Sequence, residues 1–207
     1  MILVGERDSM DYVAARCDER AMARIGRFID LLVEENERQN LVAAATLDHV
    51  WQRHIADSAQ LLEFAPQVPR GTWVDLGSGA GFPGLVIAMM RPDLHVKLVE
   101  SRRLRSAWLS SCIDALGLDK CEVSHGRAEV LPAEEAAVLS ARAFAPLPKA
   151  IAIGRRFSTA DTVWLLPKGR SAAQEVNELP KRLRSMFHVE QSVSDPEAGI
   201  VTGRLTE

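Results

Sequence analysis

The stretch Val74-Asp75-Leu76-Gly77-Ser78-Gly79-Ala80-Gly81-Phe82-Pro83-Gly84 leaves a short apolar run, turns on its glycines and enters a helical pattern. Glycines let the backbone turn sharply and approach a ligand with no Cβ in the way. Pro83 suits the first helical turn, where its missing N–H costs little. Two fingerprints overlap in these residues. Gly79-x-Gly81-x-x-Gly84 fits the dinucleotide pattern, and Asp75-x-Gly77-x-Gly79-x-Gly81 fits the pattern of S-adenosylmethionine-dependent methyltransferases.

Charge separates the two. A dinucleotide sets its pyrophosphate on the helix N-terminus, where the dipole favours anions. Asp75, two residues before the first glycine, would repel a pyrophosphate but suits the cationic amino-acid moiety of S-adenosylmethionine. Glu100 ends the next apolar run, where an acidic side chain can accept hydrogen bonds from the ribose hydroxyls of either cofactor. S-adenosylmethionine is the favoured cofactor, held by Asp75, Gly77, Ser78, Gly79, Gly81 and Glu100. A dinucleotide, or a tight turn that binds nothing, is the alternative.

Downstream of this loop, short apolar runs alternate with helical periodicity. Strands are expected at 73–76, 95–100, 122–125, 138–141 and 162–166, with helices at 83–90, 104–116, 147–157 and 172–183. Such alternation predicts an α/β fold, a Rossmann-like parallel sheet with helices on both faces. Extended segments near 188–192 and 200–205 are expected to close one sheet edge as an antiparallel pair. Upstream, residues 9–64 read as helical throughout, and Pro66, Pro69 and Gly71 punctuate the chain. The expected organisation is an N-terminal helical extension, 1–70, packed on a methyltransferase core, 71–207.

Composition narrows the function classes. With 207 residues, 47% apolar and 26% charged, the chain suits one α/β domain with a modest appendage. A net charge of −3 gives no bulk attraction to nucleic acid or anionic membrane, so RNA contact must come from local basic groups. Cys17, Cys112 and Cys121 have neither disulfide-framework nor zinc-site spacing, so no metal is expected. Lacking a signal-like N-terminus or a ~20-residue apolar run, the chain is expected to be cytoplasmic, off the membrane, and a monomer.

Four further motifs carry a resemblance. They are Asn40-Leu41 with Arg53-His54-Ile55-Ala56-Asp57-Ser58, the narrow Phe82-Pro83-Gly84 ending of the glycine loop, Ser140-Ala141-Arg142-Ala143-Phe144-Ala145, and Leu166-Pro167-Lys168-Gly169. In this order they resemble the RsmG (GidB) family of bacterial methyltransferases, which act on guanine N7 in small-subunit (16S) ribosomal RNA. The resemblance implies that activity, with the 30S subunit or its RNA as partner. It also implies cofactor contacts at Gly77, Phe82, Ala128, Glu129 and Arg142.

Substrate contacts are expected from Asn40, Arg53, His54, Asp57, Arg127 and Lys168, in loops or strand ends around the cofactor mouth. Simpler readings stand beside these. His54 and Asp57 are spaced to pair with each other, Arg142 to pair with Asp75 or Glu129, and Asn40 to cap a turn. A small-molecule methyltransferase on the same sheet, or a cofactor-binding sensor, is the alternative function. Guanine N7 carries an in-plane lone pair and no proton, so no catalytic acid or base is expected.

Overall fold

The structure is a computed structural model that describes residues 2–66 and 71–206. A seven-stranded sheet runs β3-β2-β1-β4-β5-β7-β6, comprising β1 (Thr72–Leu76), β2 (His95–Glu100), β3 (Cys121–His125), β4 (Ala136–Ser140), β5 (Ser158–Lys168), β6 (Phe187–Gln191) and β7 (Gly199–Gly203). The first five strands are parallel, while β7 joins β5 and β6 in antiparallel register. This is the doubly wound sheet with the antiparallel edge that the sequence pattern predicts.

Alternation along the strands divides two cores. Trp73, Leu98, Val138 and Leu165 face α2 (Glu19–Gln39), α4 (Gly84–Met90) and α5 (Arg103–Leu116). Val74, Leu76, Leu139 and Trp164 face α6 (Leu147–Gly154) and α7 (Ala172–Asn177). Every residue of α4 is buried, which its sequence Gly-Leu-Val-Ile-Ala-Met-Met, apolar on all sides, requires.

The N-terminal residues fold onto the same core, since Ile25, Phe28 and Leu32 of α2 lie in one cluster with Trp73 and Leu98. Asp18 caps α2 by accepting from Ala21 N, and Asn40 ends it in the left-handed conformation at φ 46°. The expected boundary of this extension, including Pro69, lies outside the described residues.

The last part of the run expected to be helical to Phe64 is helical in short pieces, a 3-10 turn (Ala44–His49), a π-helical turn (Trp51–Ala56), the short α3 (Asp57–Ala59) and a second 3-10 turn (Gln60–Glu63). Bonds from elsewhere take up its backbone, because both carboxylate oxygens of Glu6 in α1 (Gly5–Ala14) accept from Trp51 N and Gln52 N. The tail helix expected at 172–183 is two pieces, α7 and α8 (Lys181–Arg184). Pro180 separates them, having no N–H to donate and disfavouring helix at Leu179. Among the described residues no helix is long and apolar enough to cross a membrane.

Candidate active site

The parallel register brings the carboxyl ends of β1, β2 and β4 to one edge, with Leu76 beside Val99 and Asp75 beside Ser140. Ligands of α/β sheets bind at this edge. The glycine loop leaves β1 here and hooks over β2, with Gly77 N and Ser78 N both donating to Val99 O (2.8 and 3.2 Å). Gly77 has φ +71°, and a Cβ on it would lie 2.6 Å from the ring of Phe144. Only glycine fits between that turn and that ring.

Asp75 sits beneath the loop with no exposed surface. Its Oδ1 accepts from Ser140 Oγ (2.7 Å) and its Oδ2 from Gly84 N (3.2 Å). Trp73 Nε1 donates to the same Ser140 Oγ (2.9 Å), while Ser78 Oγ donates to Asp75 O. Burial raises the Asp75 carboxyl to about 6, against the pull of these hydrogen bonds. The sequence pattern suggests an Asp75 that faces a cationic ligand directly. The structure instead turns its carboxylate inward to brace the loop against β4 and α4, because Gly84 has no Cβ to hold the helix away.

Glu100 lies beside the loop and is 5% exposed, with Oε2 accepting from Gly79 N (3.0 Å) and Oε1 from Arg102 N (2.7 Å). The turn after β3 flanks it, since Gly126 N donates to Glu100 O. That turn buries Ala128 and leaves Arg127 exposed and paired with Glu129 at 3.2 Å.

A cavity of about 790 Å³ opens along the same edge, beyond Phe144. Its walls are Thr46, Arg53, His54 and Asp57 from the helical run, the 142–146 loop, Pro167 and Lys168 at the end of β5 with Gly169 beyond it, Glu175, and the connection from β6 into β7. Arg142 crosses it. Nη1 meets Asp57 Oδ2 at 3.0 Å, Nη2 meets His54 Nδ1 at 2.8 Å, and the guanidinium lies 5.1 Å from the Phe82 ring centre.

His54 and Asp57 thus do not pair with each other. Both are taken by Arg142, whose carboxylate partner is neither Asp75 nor Glu129. Arginine only donates, so His54 Nδ1 accepts and its proton sits on Nε2, which donates to Thr46 Oγ1 at 2.8 Å. The imidazole stacks on Phe82 at 4.8 Å. Burial, then the charges of Arg142 and Arg53, lower its pKa to about 3, so it stays neutral.

Lys168 Nζ donates to Ala145 O (2.7 Å) and pairs with Glu175 (2.9 Å), while Arg53 pairs with Asp195 (3.0 Å). Of the sequence-predicted substrate residues, Arg53, His54, Asp57 and Lys168 converge on the cavity wall. Asn40 and Arg127 are not part of that wall. Asn40 ends α2, and Arg127 lies on the Glu100 side. Thr46, Phe144, Glu175, Ser194 and Asp195 join the wall without having been expected there. Phe144 stands inside a quoted motif, but the others carry no local signal because distant segments bring them in.

Solved structures with similar folds include a mutant form of MtNAS in complex with S-adenosylmethionine (TM-score 0.58, 13% identity, 98% of this chain and 85% of that one). An RNA methyltransferase from Salinibacter ruber in complex with S-adenosyl-L-homocysteine is also similar (TM-score 0.54, 17% identity, 72% of this chain and 90% of that one). The strand order and the glycine loop define a Rossmann-like fold of the kind seen in these two structures.

Sequence comparison is narrower. The family model GidB, "rRNA small subunit methyltransferase G", matches residues 21–199. The ribosomal RNA small subunit methyltransferase G of Erythrobacter litoralis is 53% identical over 98% of both chains. That of Novosphingobium aromaticivorans is 53% identical over 99% of this chain and 90% of its own. The chain belongs to the rRNA small subunit methyltransferase G family.

Proposed function

We propose that this chain transfers a methyl group from S-adenosylmethionine to N7 of a guanine in small-subunit ribosomal RNA, acting as a monomer in the cytoplasm on the 30S subunit or its RNA. The observation that carries this reading is the adjacency, across Phe144, of a nucleoside-type loop and a charged cavity at one sheet edge.

The residues fit the cofactor. The Gly77 turn presents backbone with no side chain, and each Glu100 oxygen, holding one backbone N–H, keeps a lone pair for a ribose hydroxyl. Gly77, Ser78, Gly79, Gly81, Phe82, Glu100, Ala128 and Glu129 are the residues we assign to holding it, with Asp75 and Arg142 bracing them. When bound, S-adenosylmethionine supplies an electrophilic methyl carbon whose bonding pair stays with sulfur on transfer.

The chain's own contribution is positioning. Guanine N7 attacks with a free lone pair, so the protein must hold it in line at about 3–3.5 Å and need not remove a proton. The cavity agrees with that demand. His54 has both ring nitrogens engaged and stays neutral, so it offers no free base.

The test uses radiolabelled S-adenosylmethionine and small ribosomal subunits lacking their native methylations, followed by nucleoside analysis. Label recovered as N7-methylguanosine at a single site is the expected result. Cofactor binding without transfer to any RNA overturns the assignment.

A further inference from the structure

Methylation at N7 leaves the purine with a full positive charge, and something in the site must accommodate it. The described walls of the cavity hold three carboxylates, and each is already engaged. Asp57 accepts from Arg142, Ser194 and Gln60. Glu175 accepts from Lys168, Ser171 and Leu147 N. Asp195 accepts from Arg53 and Glu197 N. Each of the three carboxylates is matched by its own cation, so none brings an unbalanced negative charge to the site.

Phe144 is different. Among the described residues lining the cavity it is the one Phe, Tyr or Trp, and its ring rests against Gly77, the first glycine of the loop. It is also held in place from both sides. Arg142 is anchored by Asp57 and His54, and Ala145 O is bound by Lys168. Between the anchors Ala143 adopts φ 51°. This left-handed conformation is costly for a residue with a Cβ, so the surrounding contacts must hold it. The loop is thus fixed in the shape that sets the Phe144 ring between the cofactor loop and the cavity.

We propose, on the basis of the methyltransferase reading above, that Phe144 is a catalytic residue that receives the target guanine against its ring. There it stabilises the positive charge that the base acquires. The N7 lone pair forms the new N–C bond, the C–S pair stays with sulfur, and the charge passes from sulfur to the purine with no proton moved. The face of a benzene ring is electrically negative and attracts a cation held against it, more strongly when water is excluded. Phe144 therefore favours the charged transition state over the neutral base, which is the condition for raising kcat.

The experiment compares wild type with Phe144→Leu, Phe144→Met and Phe144→Tyr on undermethylated small subunits. The Leu and Met variants keep bulk without a ring and are expected to lose about tenfold in kcat/KM, mostly in kcat. The Tyr variant is expected within about twofold of wild type, and all variants should bind S-adenosylmethionine by calorimetry within about twofold. A second readout needs no turnover: NMR titration at about pH 6 with guanosine and with cationic 7-methylguanosine. Wild type should prefer the cation, and the Leu and Met variants should lose that preference.

Leu or Met variants with wild-type kcat and an undiminished preference overturn the proposal. So does a parallel loss of cofactor affinity, which would make Phe144 a mere support of the Gly77 turn. If wild type methylates no RNA, the functional reading fails, while the nucleoside preference still decides what Phe144 does.

Discussion

Arg142 Nη1 and Asp57 Oδ2 lie 3.0 Å apart although 85 residues separate them in the chain. This pair joins the loop after β4 to the helical run of the N-terminal extension. It therefore fixes the two walls of the cavity relative to each other. Both side chains are largely buried (20% and 18% exposed), so each depends on the other.

Removing one partner should cost more than removing both. Asp57→Ala leaves the guanidinium of Arg142 without its counter-charge, and should lower unfolding free energy by on the order of 3 kcal/mol, the low end for breaking a buried pair. Adding Arg142→Met should recover part of that stability while methyl transfer stays low. Urea unfolding of the single and double variants measures the coupling, and strictly additive losses would mean the two residues act independently.

Asp75 gives a stability signature with pH. Its folded carboxyl, raised to about 6 by burial, binds a proton more tightly than in the unfolded chain. Its contribution to stability is therefore full below the unfolded value of about 4 and declines as pH rises through the folded one. Asp75→Asn removes this single titration. The difference in unfolding free energy between wild type and Asp75→Asn should shift toward the variant between about pH 4 and 6.5, by roughly 2–3 kcal/mol. A difference that is flat with pH would show that Asp75 does not titrate in this window.

His54 should be silent in catalysis near neutrality. With Nδ1 accepting from Arg142 and Nε2–H donating to Thr46, the ring stays neutral well below its ordinary pKa. The profile of kcat/KM between about pH 5.5 and 8 should have no inflection assignable to it. An inflection near the ordinary histidine value of about 6.5 that disappears in His54→Gln would contradict this tautomer.

Glu6 is expected to act at a distance. Its carboxylate holds Trp51 N and Gln52 N, the start of the turn that carries Arg53 and His54 and leads to Asp57. Glu6→Ala should cost about 1 kcal/mol of stability, as loss of a helix-capping side chain does. It should also raise KM for the ribosomal substrate several-fold with cofactor affinity unchanged, and Glu6→Gln should recover part of both. Stability loss with unaltered KM would confine Glu6 to folding.

Salt dependence should sort the cations. Arg102 and Arg103 are exposed at the start of α5 with no carboxylate within ion-pair distance among the described residues, whereas Lys168 is committed to Glu175 and Ala145 O. Neutralising an arginine that meets a phosphate should reduce the salt slope of RNA binding by about 0.7–0.9. Lys168→Met should lower activity with the slope unchanged. A reduced slope for Lys168→Met would mean that its internal pairing breaks when RNA binds.

The sheet was legible in the residues alone, because apolar runs, glycine turns and helical periodicity are local signals. So were the glycine loop and Glu100 beside it, since a strand end followed by a helix start is written in consecutive residues. The quoted motifs also named Arg53, His54, Asp57, Arg142 and Lys168.

What those residues do to one another came only from packing. The Asp75 carboxylate turns inward because Gly84 lets α4 close on it, a relation that no spacing encodes. His54 and Asp57 look like a pair three residues apart, but a guanidinium from beyond the end of β4 satisfies both. The π turn begins where Glu6, on another helix, holds its first N–H groups. Hydrogen bonds and ion pairs are made to whatever the fold brings within about 3 Å, and that depends on how distant segments pack rather than on residue order.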